Sequence, residues 1–115
     1  SDQAAVVNVS SVAGISGFGS SLAYCASKGA LNTMTKSLAR ALAPEIRVNA
    51  VCPGPIDSRW LRQNLSDEEM EGRVASFPIP RLSTPDDITD AIVYLATGNA
   101  MVTGQLQVVD GGRTM

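Results

Sequence analysis

Three short apolar segments, separated by long helix-forming stretches, constrain what this chain can fold into. The first, residues 4–9, is valine-rich and apolar on both faces, which is typical of a strand inside a parallel sheet that is covered on both sides. Residues 46–51 and 106–109 have the same character. Because neighbouring parallel strands need a long crossover between them, this order predicts an α/β fold with three parallel strands.

Helices are predicted in both crossovers, and each crossover is long enough for the usual right-handed connection. The first helix covers residues 22–43 and ends at Pro44, and the second begins with Thr84 as N-cap and Pro85 at its first position. A shorter helix is expected around residues 67–75. The first helix has an apolar stripe of Leu31, Met34, Leu38, Ala41 and Leu42. The second has a predicted buried face of Ile88, Ala91, Ile92, Leu95 and Ala96.

The predicted sheet is incomplete. A first strand that is apolar on both faces belongs in a sheet interior, and an unpaired edge there would invite aggregation. The printed sequence opens only three residues before that strand. We therefore expect residues 1–115 to be the C-terminal part of one domain that is incomplete without an N-terminal half.

Composition argues against several classes of function. The net charge is −2 and the basic residues are scattered, so the footprint of a nucleic-acid-binding protein is missing. No apolar run reaches the roughly 18 residues that span a membrane, and no signal-like leader precedes residue 4, so we expect a cytoplasmic protein. The absence of histidine excludes a Ser-His-Asp triad within these residues and argues against a metal site. Cys25 and Cys52 are expected to be free and to pack as small apolar residues.

One pair of polar residues in the long helix indicates chemistry. Tyr24 and Lys28 are four positions apart and therefore neighbours on one face. An ammonium group beside a phenol stabilises the phenolate, which suits the phenol to proton transfer. Ser11 lies thirteen residues earlier, at the carboxyl end of the first strand, where open α/β sheets bind ligands. The alternative for Lys28 is purely structural, with its ammonium extending to solvent from the first helical turns.

Five motifs, in order, resemble those of the short-chain dehydrogenase/reductase family, and the match extends over essentially the whole chain. They are Asn8-Val9-Ser10-Ser11-Val12-Ala13-Gly14, Tyr24-Cys25-Ala26-Ser27-Lys28, Val48-Asn49-Ala50-Val51-Cys52-Pro53-Gly54, Arg81-Leu82-Ser83-Thr84-Pro85-Asp86-Asp87-Ile88 and Val109-Asp110-Gly111-Gly112.

This resemblance implies roles for individual residues. Ser11 would hydrogen-bond the substrate oxygen, Tyr24 would be the general acid/base, and Lys28 would assist Tyr24. A nicotinamide cofactor, NAD or NADP, would be held by Tyr24, Lys28, Pro53, Gly54, Ile56 and Ser58. Ser58 stands where the family usually has threonine.

The resemblance also implies a doubly wound parallel Rossmann-type sheet, of which this chain supplies the C-terminal half. The activity would be reversible hydride transfer between NAD(P)(H) and a secondary alcohol or ketone, and the chain resembles the 3-oxoacyl-acyl-carrier-protein reductase type most. A homo-oligomer, either a dimer or a tetramer, is expected. The glycine-rich phosphate turn and the family's catalytic asparagine are absent from residues 1–115, so we expect the chain alone to be inactive. The alternative is a truncated, non-catalytic oligomerisation or assembly module.

Other polar and aromatic residues have weaker assignments. Ser10 and Arg81 are expected to be structural, and Ser20 and Ser21 to be turn and N-cap residues or substrate contacts. Trp60 is expected either to line a substrate pocket or simply to pack. Arg59 and Arg62 are expected either to be solvated at the surface or to bind an acidic substrate.

Overall fold

The computed structural model describes residues 3–115 and is an α/β fold, as predicted. The strands are parallel and lie in the order β1-β2-β3, with Val6 opposite Val48 and Cys52 opposite Val108. In chain order the elements are β1 (Ala4–Val9), α1 (Ala13–Ser16), α2 (Leu22–Leu42), β2 (Ile46–Pro53), α3 (Arg59–Asn64), α4 (Asp67–Val74), α5 (Pro85–Val93), a π-helical turn (Tyr94–Gly98) and β3 (Leu106–Val109).

The central strand of the described sheet is β2, which is buried along nearly its whole length. In contrast, β1 pairs only with β2 among residues 3–115, and its Val6 and Val9 are 41% and 51% exposed. The sequence predicted β1 as an interior strand of a sheet that these residues leave incomplete, and in the described part of the chain it is accordingly an edge strand. Its apolar character therefore leaves hydrophobic surface open.

The helices cover both faces of the sheet. Cys52 contacts Asn32 of α2, whereas Arg47, which is five residues away and therefore on the opposite face of β2, donates to the carbonyl oxygens of Leu95 and Ala96. The chain moves in the same direction across the sheet from β1 to β2 and from β2 to β3. Because α2 and α5 lie on opposite faces of the sheet, the two crossovers have opposite handedness. Both crossovers are long enough for the usual right-handed connection, as expected, but only one of them can have that hand.

The face of α2 that packs on the sheet differs from the predicted apolar stripe. Its buried residues are Asn32, Thr35 and Ala39, while Met34 of the predicted stripe is 49% exposed. Asn8 on β1 donates from Nδ2 to Thr35 Oγ1 at 3.0 Å, and this bond lets a polar residue face the sheet. Small and polar side chains allow α2 to approach closely, and apolar periodicity alone does not reveal such a face.

The second predicted helix is confirmed together with its start. Thr84 and Asp87 form a capping box, in which Thr84 Oγ1 accepts from Asp87 N and an Asp87 oxygen accepts from Thr84 N. Ile88 and Leu95 are buried as predicted, and the helical turns end at Gly98. The helix predicted near residues 67–75 is α4. Two short helices, α1 and α3, were not predicted.

Candidate active site

The carboxyl ends of β1 and β2 lie side by side and carry the predicted site residues. Beyond β1, the amide of Ser10 donates to Val51 O at 2.8 Å and the amide of Val12 donates to Pro53 O at 3.0 Å. Parallel pairing therefore continues past the end of β1. This continuation sets Ser11 beside the turn that begins at Pro53.

Ser11 lies between β1 and the short helix α1, one residue before the N-cap Val12. Its Oγ accepts a hydrogen bond from Ala13 N at 3.1 Å, and its carbonyl oxygen accepts from Gly14 N. The hydroxyl hydrogen has no acceptor among the described residues, so it is available to donate to a bound oxygen. The neighbouring Ser10 is buried and donates from Oγ to Lys28 O at 3.3 Å, which is the structural role predicted for it.

Lys28 is held between β1 and Tyr24. Its Nζ donates to Val9 O at 3.2 Å, the last carbonyl of β1, and lies 5.7 Å from the centre of the Tyr24 ring. A cation at this distance interacts favourably with the ring face. The alternative in which Lys28 simply extends to solvent does not describe this geometry, because the ammonium group has a defined backbone partner and an aromatic neighbour.

Tyr24 lies in the first turn of α2, just after the N-cap Ser21, whose Oγ accepts from Tyr24 N at 3.0 Å. The side chain is 38% exposed. The preceding loop lies directly against it, since a Cβ on Gly19 would be 3.3 Å from Tyr24 Cδ2 and 2.9 Å from Cys25 Sγ. Sequence reasoning assigned no role to Gly19. The only sign of this contact in the sequence is that a glycine stands five residues before Tyr24.

The turn after β2 is fixed by the end of β3. Gly54 N donates to Val109 O at 3.1 Å, and a Cβ on Gly54 would lie 2.7 Å from Asp110 Cβ. Asp110 is buried and accepts from Gly112 N, Thr114 N and Thr114 Oγ1. Burial alone would raise the pKa of Asp110, but these hydrogen bonds outweigh burial and lower it.

Ile56 presents unused backbone groups beside this turn. It forms an isolated parallel bridge with Ser83, and the hydrogen bonds of that bridge use the carbonyl of Pro55 and the amide of Asp57. The N–H and C=O of Ile56 itself have no hydrogen-bond partner among residues 3–115. They form a donor and acceptor pair of the kind that a carboxamide requires.

Ser58 is the N-cap of α3, and its Oγ accepts from Leu61 N at 3.3 Å. Its hydroxyl hydrogen remains available for donation. Trp60 follows on α3 and is 64% exposed, so it does not pack as a core residue.

Two arginines of this region are occupied by carboxylates. Arg62 makes a two-point ion pair with Asp57, and this hydrogen bonding lowers the pKa of Asp57. Arg81 donates to Leu82 O and to Asp87, as expected for a structural residue. An acidic substrate would therefore have to displace Asp57 to reach Arg62.

Among residues 3–115, no group of three or more histidine, cysteine or acidic side chains is arranged to hold a metal ion. Cys25 and Cys52 are free, and burial raises the pKa of the Cys52 thiol. Within the same part of the chain, no helix is both long and apolar enough to cross a membrane.

Comparison with known proteins identifies the family. A family model described as enoyl-(acyl carrier protein) reductase matches residues 1–114. The short-chain dehydrogenase/reductase homolog YusR of Bacillus subtilis (strain 168) is 43% identical over 115 residues, which are all of this chain and 87% of YusR. This chain belongs to the short-chain dehydrogenase/reductase family. It spans only about half the length of several other curated relatives, with 51% and 46% of two of them covered.

Solved structures of family members match the fold. A 3-oxoacyl-[acyl-carrier protein] reductase from Brucella melitensis is 37% identical, with a TM-score of 0.86 over 96% of this chain and 42% of that protein. The structure of ElxO with NADP bound is 34% identical, also with a TM-score of 0.86, over 96% of this chain and 46% of ElxO. The three parallel strands with helices on both faces thus correspond to part of a larger Rossmann-type fold.

Proposed function

We propose that residues 1–115 are the C-terminal part of a single Rossmann-type domain whose complete form is an NAD(P)-dependent oxidoreductase of a secondary alcohol or ketone. One observation carries this proposal: the Lys28 ammonium lies over the Tyr24 ring while it is anchored to Val9 O, two residues before Ser11, whose hydroxyl hydrogen has no acceptor among the described residues. Phenol, ammonium and hydroxyl are then present at one strand end, which is the set that proton exchange with a carbonyl oxygen requires.

Each of the three residues has a distinct part in the proposed reaction. Ser11 donates its hydroxyl hydrogen to the substrate oxygen and orients it. Tyr24 gives its phenolic proton to that oxygen during reduction and takes it back during oxidation. Lys28 stabilises the phenolate with its positive charge, and the two ammonium hydrogens that Val9 O does not use are free for hydroxyl groups of a bound ribose.

A nicotinamide cofactor fits the turn after β2. The Ile56 N–H and C=O are available for the carboxamide, Ser58 offers a hydroxyl hydrogen, and Pro53 and Gly54 would pack beside the nicotinamide ring. When bound, the cofactor supplies or accepts the hydride. The glycine-rich phosphate turn is not found in residues 1–115. We therefore propose that an N-terminal half of the same domain binds the pyrophosphate, that it docks along the exposed side of β1, and that residues 1–115 alone do not turn over substrate.

The first test measures cofactor binding to residues 1–115 by titration with NADPH and NADH. We expect no binding at micromolar concentrations without the dinucleotide-binding half. Micromolar affinity for residues 1–115 alone would contradict the proposed division of the site.

The second test compares Tyr24→Phe with Tyr94→Phe in the protein that includes both halves, assayed against a panel of ketones by NAD(P)H absorbance. Removing the general acid should lower the rate by about 10²- to 10⁴-fold, with cofactor affinity nearly unchanged. Tyr94 is the C-cap of α5, and the next residue, Leu95, accepts from Arg47 near the amino end of β2, which is opposite to the end that carries the candidate site. Its replacement should therefore leave the rate intact. Retention of most of the rate by Tyr24→Phe would remove Tyr24 from proton transfer.

A further inference from the structure

A cavity in the segment between β2 and α5 is unassigned by the roles above. It has a volume of about 180 Å³ and six apolar lining residues, Pro55, Leu61, Leu65, Met70, Phe77 and Leu82. Neither Ser11, Tyr24 nor Lys28 lines it. The cavity is therefore separate from the proposed catalytic residues, although Pro55 adjoins the Pro53-Gly54 turn.

The apolar residues of this segment surround space instead of packing fully on one another. Neither α3 nor α4 has a buried residue, and the six apolar lining residues are all only half-buried. Protein interiors are normally close-packed, with few voids larger than a water molecule. The cavity has the volume of roughly six molecules of liquid water, which is room for an apolar chain of about six carbons.

Two arginines give the cavity a basic rim. Arg73 and Arg113 also line it, and both are exposed, so they stand at its solvent side. Arg62 and Arg81 are ion-paired, whereas neither Arg73 nor Arg113 has a carboxylate oxygen within 4.0 Å among the described residues.

Arg113 is held in place by contacts other than ion pairs. Its guanidinium lies 5.6 Å from the centre of the Phe77 ring. The nearby carboxylate of Asp110 is occupied by Gly112 N and by the amide and hydroxyl of Thr114. Arg113 and Phe77 also line an adjoining open groove of about 490 Å³. Arg113 and Phe77 thus lie at the boundary between the apolar cavity and the solvent-filled groove.

We propose that this cavity binds a small monocarboxylate with an unbranched apolar tail, with the tail among the six apolar residues and the carboxylate at Arg113 and Arg73. Charge complementarity favours this ligand, because burying a tail needs only apolar surface while the guanidinium groups at the rim attract an anion. The site does not depend on hydride transfer. It can therefore be tested without any nicotinamide cofactor.

Calorimetric titration of the purified protein with butanoate, hexanoate and octanoate tests the tail. Affinity should rise about fourfold per added methylene up to hexanoate and then level off as the cavity fills. Hexylamine also has six carbons but carries the opposite charge, and it should bind at least about tenfold more weakly than hexanoate. No saturable binding of hexanoate, or equal binding of hexanoate and hexylamine, would overturn the proposal.

Arg113→Gln tests the head group, with Arg59→Gln as its matched control, since Arg59 is exposed and lies outside the cavity. Arg113→Gln should weaken hexanoate binding about tenfold, with an unchanged circular dichroism spectrum, and Arg59→Gln should have no effect. Equal weakening by both variants would indicate a general charge effect and would contradict a defined site.

Discussion

A Cβ atom on Gly14 would lie 2.5 Å from the carbonyl carbon of Lys28. The short helix α1 therefore rests directly on the backbone of α2, at the residue whose ammonium group reaches Val9 O. Only a residue without a side chain permits this approach. Gly14 is thus a positioning residue. Because it has no side chain, α1 packs closely on α2, and this packing determines where Lys28 and Tyr24 lie.

We predict that Gly14→Ala lowers the free energy of unfolding by about 3 kcal/mol, at the upper end of the cost of overpacking. The clash is with backbone atoms, which cannot rotate away as a side chain can. Urea unfolding followed by circular dichroism measures this change.

The matched control is Gly72→Ala on α4, where a Cβ would meet nothing within 4 Å. Alanine inside a helix is favoured over glycine by roughly 0.5–1 kcal/mol, so this variant should be slightly more stable than wild type. If Gly14→Ala were as stable as Gly72→Ala, the close approach of α1 and α2 would be disproved.

Asn32 provides a second prediction, because its amide is buried without a full set of partners. Its Oδ1 accepts only a 3.6 Å contact from Cys52 Sγ, and its Nδ2 has no hydrogen-bond partner among the described residues. An unpaired buried amide costs roughly 1–3 kcal/mol. We expect Asn32→Leu, which keeps the branched four-atom skeleton of the side chain but removes the polar atoms, to raise the free energy of unfolding by about 1 kcal/mol. Asn32→Ala leaves a cavity instead and should lower it. A loss of stability in Asn32→Leu would indicate that the amide is satisfied.

The sequence predicted elements better than it predicted faces. Parallel strands, the long helix and the capping box at Thr84 each follow from local chemistry: β-branched runs, a proline stop and a side chain that completes the first turn. The predicted apolar stripe of α2 missed the buried Asn32, because an apolar period gives no sign of a buried amide. Thr35 is accommodated on the sheet-facing side by its hydrogen bond with Asn8 of β1, a tertiary contact that periodicity does not reveal.

The sequence predicted which candidate residues are neighbours along α2 but not the contacts that they make. Tyr24 and Lys28 are adjacent because of helical spacing, whereas the bond from Lys28 to Val9 O depends on how α2 lies on β1. The free backbone groups of Ile56 likewise arise from its pairing with Ser83, which is 27 positions later in the chain. Short helices such as α1 carry too little periodicity to be recognised before the tertiary contact of Gly14 is known.

Arg47 yields a third prediction, because its buried guanidinium donates hydrogen bonds to backbone carbonyl oxygens. It donates to Leu95 O, Ala96 O and Val102 O, which are carbonyls at and beyond the end of the helical turns after α5. We expect Arg47→Met to lower the free energy of unfolding by about 3 kcal/mol, because it leaves buried acceptors unpaired. Arg47→Lys keeps the charge but cannot reach all three carbonyls, so its loss should be smaller. Equal losses in both variants would assign the effect to packing alone.

Asp110 determines how stability depends on acid. Its folded-state pKa is lowered, so the unfolded chain binds this proton more tightly, and the carboxylate contributes stability that is fully present above the unfolded pKa of about 4. That contribution is lost as the pH falls through the unfolded value to the lowered folded one. Asp110→Asn should therefore reduce the free energy of unfolding by roughly 1–3 kcal/mol at pH 7, and the difference from wild type should shrink below about pH 4. Urea unfolding of both proteins across this range measures the difference. A gap that stayed constant with pH would mean that the charge of Asp110 does not hold the Gly112 and Thr114 amides.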